Sequence, residues 1–211
     1  MSQSRPLLAA SLVVAAIAAG CKSSPPTPAK PPEHALSGLA AQHVVILPTY
    51  IVRVAPGLAW TIARPTDVAK ALDADIAAAF EARGIRTWVL PAKLDSAYRR
   101  NPTYATDPHT LAEEPLRSPS LDIDQRLPEP IASQLRTLIA LHDDVRMVLA
   151  PVELKMESAT GGGHAVLRLV LIDARASSVR WIGEVTSDAA PAFSPAITAD
   201  VAAKLGAVIS P

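Results

Sequence analysis

A single cysteine, Cys21, leaves this chain with no partner for an internal disulfide, so its stability has to come from buried apolar surface. Aromatic residues are also scarce: three Trp, three Tyr and two Phe in 211 residues. That poverty argues against a stacking platform for sugars or bases. Neither sign of charge is in excess, with 20 Lys and Arg against 20 Asp and Glu. Such a balance offers no electrostatic reason to expect nucleic acid or an anionic surface as partner. The longest uncharged apolar stretch, residues 7–19, is shorter than the roughly 20 residues a membrane-crossing helix needs.

Catalytic and metal-binding patterns are equally thin. The five histidines (His34, His43, His109, His142, His164) never stand four apart, and no His-Glu-x-x-His or zinc spacing occurs. No Gly-x-Ser-x-Gly elbow is present. Gly161-Gly162-Gly163 lacks the Lys-Ser/Thr and helix that a phosphate loop requires, and reads as a hairpin turn. His142-Asp143-Asp144 reads as a helix end followed by a turn. Asp122-x-Asp124 and Glu113-Glu114 are paired carboxylates, but glycoside cleavage needs two groups fixed across a cleft, and both pairs fall in a stretch that reads as solvated loop. The sequence therefore assigns no catalytic residue, no metal ligand and no cofactor.

What is present begins with an address. Arg5 and the apolar run 7–19 have the form of a signal peptide, residues 1–20. The segment Ala18-Ala19-Gly20-Cys21 resembles the lipobox of bacterial lipoproteins, with Ala18 where that family most often has Leu. The resemblance implies cleavage before Cys21, a diacylglycerol on its thiol, and a durable membrane anchor once more than one acyl chain is attached. Lys22 is not the Asp associated with inner-membrane retention. The expected location is thus the periplasmic face of the outer membrane, with the outer face of the inner membrane as the alternative. Residues 21–38 carry Pro25, Pro26, Pro28, Pro31 and Pro32 among small polar residues, an extended tether reaching on the order of 50 Å.

Residues 39–211 read as one α/β domain. Val44-Val45-Ile46-Leu47, closed by Pro48, has the continuous apolar character of a strand buried on both faces, and residues 50–54 either extend it or begin a loop. Thr66 is expected to cap a helix whose Val68, Leu72, Ile76 and Phe80 share one face, with Gly84 at its C-terminal cap. Residues 85–90 follow as a second buried strand, completing a right-handed βαβ unit. Residues 92–130 are rich in Pro, Asp and Ser and read as an irregular insert with short helices at 93–100 and 108–114. Pro130 opens another helix. Three strands at 145–157, 165–173 and 179–187 form an antiparallel meander, with Pro151 marking a bulge or an edge. Ser194-Pro195 then starts a closing helix. The expected fold is one mixed sheet with helices packed on it. Trp60, Tyr98 and Tyr104 are the candidate partner contacts if their loops are exposed, with half-buried packing as the favoured alternative role.

This layout is similar to periplasmic lipoproteins with the α/β fold of the TolB N-terminal domain. The residues carrying the likeness are Val-Val-Ile-Leu-Pro, the helix ending in Arg-Gly, and Leu-Arg-Leu-Val-Leu-Ile-Asp-Ala-Arg…Val-Arg-Trp-Ile-Gly-Glu-Val at 167–185. That group includes outer-membrane activators of penicillin-binding proteins and the curli secretion lipoprotein. The 92–130 insert and the lack of a barrel-forming segment set this chain apart from the curli pore. The resemblance implies a non-enzymatic lipoprotein presenting its domain to an envelope protein as scaffold, assembly factor or activator. The alternatives are an envelope hydrolase with a site near 92–130, or an auxiliary lipoprotein of a lipid or ABC transport system. Replacing Cys21 by Ser is expected to move the protein from the membrane fraction to the soluble one; retention in the membrane fraction would refute the anchor.

Overall fold

Val44-Val45-Ile46 has no polar residue to turn toward water, and in the computed structural model it is buried on both sides as strand β1 (Val44–Ile46). The structure describes residues 36–62, 64–142 and 144–210. Cys21, the signal segment and most of the tether lie outside them. The remaining elements are β2 (Val52–Val54), α1 (Pro65–Ala82), α2 (Pro91–Arg100), α3 (Ile131–Ala140), β3 (Met147–Ala159), β4 (Gly162–Asp173), β5 (Ser178–Thr186) and α4 (Pro195–Ile209). Short 3-10 turns occupy Ser37–Leu39 and Glu114–Arg117.

The fold is mixed α/β, with one five-stranded mixed sheet and four helices packed on it. Strand β3 is the spine. Along one side it pairs in parallel with β1 at residues 147–149 and with β2 at residues 154–156, so β1 and β2 lie end to end. Along the other side it pairs with β4, and β4 with β5, as the expected antiparallel meander. The register of β3 against β4 shifts between Pro151 and Glu153. Pro151 has no N–H to give the ladder, so a bulge is the natural place for it. The bulge also exchanges the faces. Val148, Ala150 and Val152 face one core, whereas Leu149, Leu154 and Met156 face the other.

Those two cores sit on opposite faces of the sheet. One gathers Leu72, Ile76 and Phe80 of α1 and Val201, Leu205 and Ile209 of α4 over Leu149, Leu167 and Leu169. The other gathers Ile131, Leu135 and Leu138 of α3 over Val148, Val170 and Ile172. Each fully buried Leu, Ile or Phe removes apolar surface worth roughly 1.5–3 kcal/mol, which is how the chain holds together without a disulfide.

Three expectations are corrected. Residues 85–90 do not form a strand: only Val89 pairs, as an isolated parallel bridge to Val45. Thr87 donates its hydroxyl to Gln42 O (2.8 Å) and the Trp88 indole donates to Leu39 O (3.1 Å), so the chain bends before Val89 reaches β1. Trp88 also meets Phe80 edge-on, with ring centroids 5.1 Å apart. Second, α1 begins at Pro65 with Arg64 as its cap residue, not Thr66, because proline's fixed φ and missing N–H suit the first helical position; α2 likewise starts at Pro91. Third, no helix occupies 108–114, and the irregular 92–130 segment is tightly packed. Leu94, Leu111, Leu116, Leu121 and Leu127 all enter the α3-side core. Leu94 comes from α2; the other four follow neither helix nor strand period, since each is delivered by a separate turn.

The β3–β4 hairpin tip is pinned by Gly163 and Ala190, whose N–H groups each donate to the other's carbonyl at 2.9 and 2.8 Å. Gly162 has φ +147°, and a Cβ there would lie 2.1 Å from Ala190 O. Gly162→Ala is therefore expected to lower stability by about 2–4 kcal/mol, from strain and overpacking together. Gly38→Ala, which meets nothing within 4 Å, is expected to be near neutral. Thermal unfolding of the two variants checks the contrast.

Candidate functional site

Where β1 ends, Leu47-Pro48 turns the backbone out of the sheet and delivers Thr49 and Tyr50 to the flank of α1. The C-terminal end of a parallel strand is where α/β folds most often place ligands. Here α1 contributes Asp73, four residues after Ala69 and three before Ile76, at the margin of its buried face. Asp73 Oδ1 accepts two hydrogen bonds from Thr49, one from the backbone N–H (3.0 Å) and one from the hydroxyl (2.8 Å). Among the described residues, Oδ2 has no hydrogen-bond partner.

Burial pushes the Asp73 carboxyl up to about 6, against the two Thr49 hydrogen bonds and His109, which favour the charged form; nearby Asp95 adds to the rise. Tyr50 closes one wall, its hydroxyl donating to Pro108 O (2.9 Å). Burial, followed by the charges of Glu113, Asp73 and Asp107, holds that phenol well above its ordinary value. His109 reaches the cleft from the stretch after α2. Its Nε2 lies 2.9 Å from Asp95 Oδ1, and its backbone N–H donates to Asp107 Oδ1 at 2.9 Å.

The cleft encloses about 200 Å³ between Pro48, Tyr50, Val52, Pro65 and Ala69, with exposed Thr66 and Lys70 at its rim. Apolar walls beside a carboxylate with one unengaged oxygen suit an alkyl stem ending in an ammonium or guanidinium group. Burial disfavours the charge on Asp73, so a cation entering the cleft would meet a carboxyl more readily protonated in acid than an exposed one.

The residues singled out from sequence are dispersed. Trp60, a contact only if its loop is exposed, is buried at 7 % exposure; it packs on Phe193 (centroids 6.1 Å apart) and against Gly163. Its role is packing. Tyr98 is half-buried on α2, and Tyr104 is 77 % exposed in the turns that follow. The paired carboxylates serve structure: Asp124 pairs with Arg180 (2.9 Å), Glu113 with Arg117 (3.3 Å), and Asp122 Oδ1 accepts the Ile123 N–H. His164 stands 3.8 Å from Glu157 across the hairpin. Among the described residues, no group of three or more His, Cys, Asp or Glu is placed to hold a metal, and no helix is long and apolar enough to cross a membrane.

The cleft itself was not singled out from sequence. One signal for it exists: Asp73 directly follows Leu72 on the margin of the apolar stripe of α1, an unusual place for a carboxylate. Thr49 and His109 carry no such mark, because only the packed chain brings residues 24 and 36 positions away to that helix.

No protein-family model matches the chain, and no curated protein matches it. Solved structures similar to it include the LpoB C-terminal domain from Salmonella enterica, at 12% identity over 73% of this chain and 96% of that one, with a TM-score of 0.38. The PelC dodecamer from Paraburkholderia phytofirmans is similar at 14% identity over 82% and 90%, TM-score 0.38. The hypothetical protein CT253 from Chlamydia trachomatis is similar at 14% over 68% and 70%, TM-score 0.29. At this distance no residue role passes from those chains to this one.

Asp73 gives the cleft a pH signature. A carboxyl at about 6 in the folded chain and near 3.8 when unfolded binds its proton more tightly in the folded state. Its contribution to stability is whole below about pH 4 and is lost as pH rises through about 6. Asp73→Asn keeps an oxygen for the two Thr49 donors but cannot ionise. Relative to this variant, the parent protein is expected to lose melting temperature between pH 4 and 7. Parallel melting curves across that range would refute the assignment.

Proposed function

We propose that this chain is a lipid-anchored envelope protein that presents its α/β domain to a protein partner, as scaffold, assembly factor or activator. In this reading the Asp73 cleft receives a basic side chain of that partner. The observation that carries it is the pairing of apolar walls with a carboxylate whose Oδ2 is unengaged. The lipobox at Cys21 and the proline-rich tether support the anchored location, and the scarcity of recognisable catalytic patterns supports binding over turnover. Tyr104, large, aromatic and 77 % exposed, is a second contact in this reading.

One observation favours the hydrolase alternative. Thr49 Oγ1 is 2.8 Å from Asp73 Oδ1, within the reach of a nucleophile and its base, and the His109–Asp95 pair borders the same cleft. Against it, the His109 Nε2 is already engaged by Asp95, and Asp73 Oδ1 also accepts the Thr49 N–H, which fixes the loop.

Photocrosslinking in the envelope from Thr66, at the exposed rim, separates the two. The expected result is one protein partner, captured less at pH 5 than at pH 7.5 and several-fold less by Asp73→Asn or Tyr104→Ala. Recovery of cleaved glycan or another turned-over small substrate, with no protein partner, would replace the binding role by the hydrolase.

A further inference from the structure

The chain is neutral overall, but its charge is not evenly spread. At the N-terminal end of the parallel strands, before Val44 of β1 and Met147 of β3, two clefts of about 450 and 240 Å³ share Lys93, Leu141 and His142 and so form one continuous groove. The basic residues lining it are Arg86, Lys93 and Arg100, with His43 and His142; among the described residues no carboxylate lines either cleft. Arg86, Lys93 and Arg100 are exposed, and none pairs with a carboxylate among the described residues. Arg100 bonds only to Ser96, on its own helix. Leu141 adds an apolar edge, 43 % exposed. In the cleft beyond His43, by contrast, Arg146 is matched by Asp173 (Nε to Oδ2 2.8 Å) and Arg180 by Asp124, although Asp144 lies there as well.

The groove adjoins the place where the chain enters the domain. Thr87, in its wall, donates to Gln42 O (2.8 Å) and Ala40 O (3.4 Å), and the neighbouring Trp88 donates to Leu39 O. The first described residues, 36–42, are thereby fastened at this end, and the tether joins them there. A lipid anchor upstream would keep this end of the domain within the tether's reach, on the order of 50 Å, of the bilayer.

We propose that the Arg86–Lys93–Arg100 groove seats the phosphate-bearing headgroups of anionic lipids in the membrane to which the tether leads. The domain then rests basic end down, with the Asp73 cleft turned outward. The occupant is a lipid surface rather than a soluble anion because the tether keeps the groove within reach of headgroups at high local concentration. This inference rests on the anchored reading of Cys21.

The test uses the lipid-modified full-length mature protein carrying Asn101→Cys, a reporter in the groove wall. It is reconstituted on phosphatidylcholine vesicles and on vesicles rich in phosphatidylglycerol, and the rate of maleimide labelling is followed. At low salt, labelling is expected to be about five-fold slower or more on the anionic vesicles. The difference is expected to vanish at high salt, and in the Arg86→Ala, Lys93→Ala, Arg100→Ala variant. Those three side chains are exposed, and an unchanged melting temperature shows that the variant is folded. Equal labelling on both vesicle types, with the protein floating on both, overturns the groove. Failure to float on phosphatidylcholine vesicles, with a bare Cys21 thiol by mass spectrometry, overturns the anchor instead. Protection that survives high salt or the triple variant also overturns the proposal, because it would not be electrostatic.

Discussion

Strand β3 has to be apolar on both faces, and the rest of the structure follows from how it manages this. Between Val148 and Met156 it feeds two cores, one under α1 and α4 and one under α3. A regular strand would keep each parity of residue on one face. The bulge at Pro151–Glu153 breaks that rule, so that Val152 joins the α3 side and Leu154 and Met156 the α1 and α4 side. Without it, Glu153 and Lys155 would turn toward the helices, and the cost of burying their charges would exceed what any nearby contact returns. With it, Arg53 and Glu153 meet at the surface at 3.1 Å.

The same arrangement fixes where chemistry can sit. β1 is only three residues long and joins two unlike ends. Its C-terminal end releases Thr49 and Tyr50 toward Asp73, in a cleft that also feels the nearby charges of Asp95, Asp107 and Glu113. Its N-terminal end receives the incoming chain and lies beside Arg86, Lys93 and Arg100. A neutral total charge conceals this polarity, since opposite signs at two ends cancel in a sum but not in space.

The 92–130 segment links the two ends. Its leucines cover the α3-side face of the sheet, so the segment is part of the core. It also supplies Lys93 and Arg100 to the groove and Asp95 and His109 to the cleft. Helix α2 carries Lys93, Asp95 and Arg100 within ten residues. Movement of α2 would therefore be felt at both ends.

The sequence by itself determined the fold class, the antiparallel meander, an irregularity at Pro151 that was either a bulge or an edge, and the closing helix after Ser194. These are local: alternation along a strand, a missing N–H at proline, a glycine-rich turn. It did not determine that residues 85–90 reduce to the single bridge at Val89, because the competing bonds from Thr87 and Trp88 reach residues more than 40 positions away. Nor did it show that the aperiodic leucines at 111, 116, 121 and 127 are core, since periodicity is the only signal that a sequence offers for burial and separate turns erase it. For Trp60, the choice between contact and packing also fell to the fold, which buries it. Both candidate sites join residues from distant parts of the chain, and only the folded sheet, by setting the two ends of β1 against α1, α2 and the segment before β3, decided that they exist.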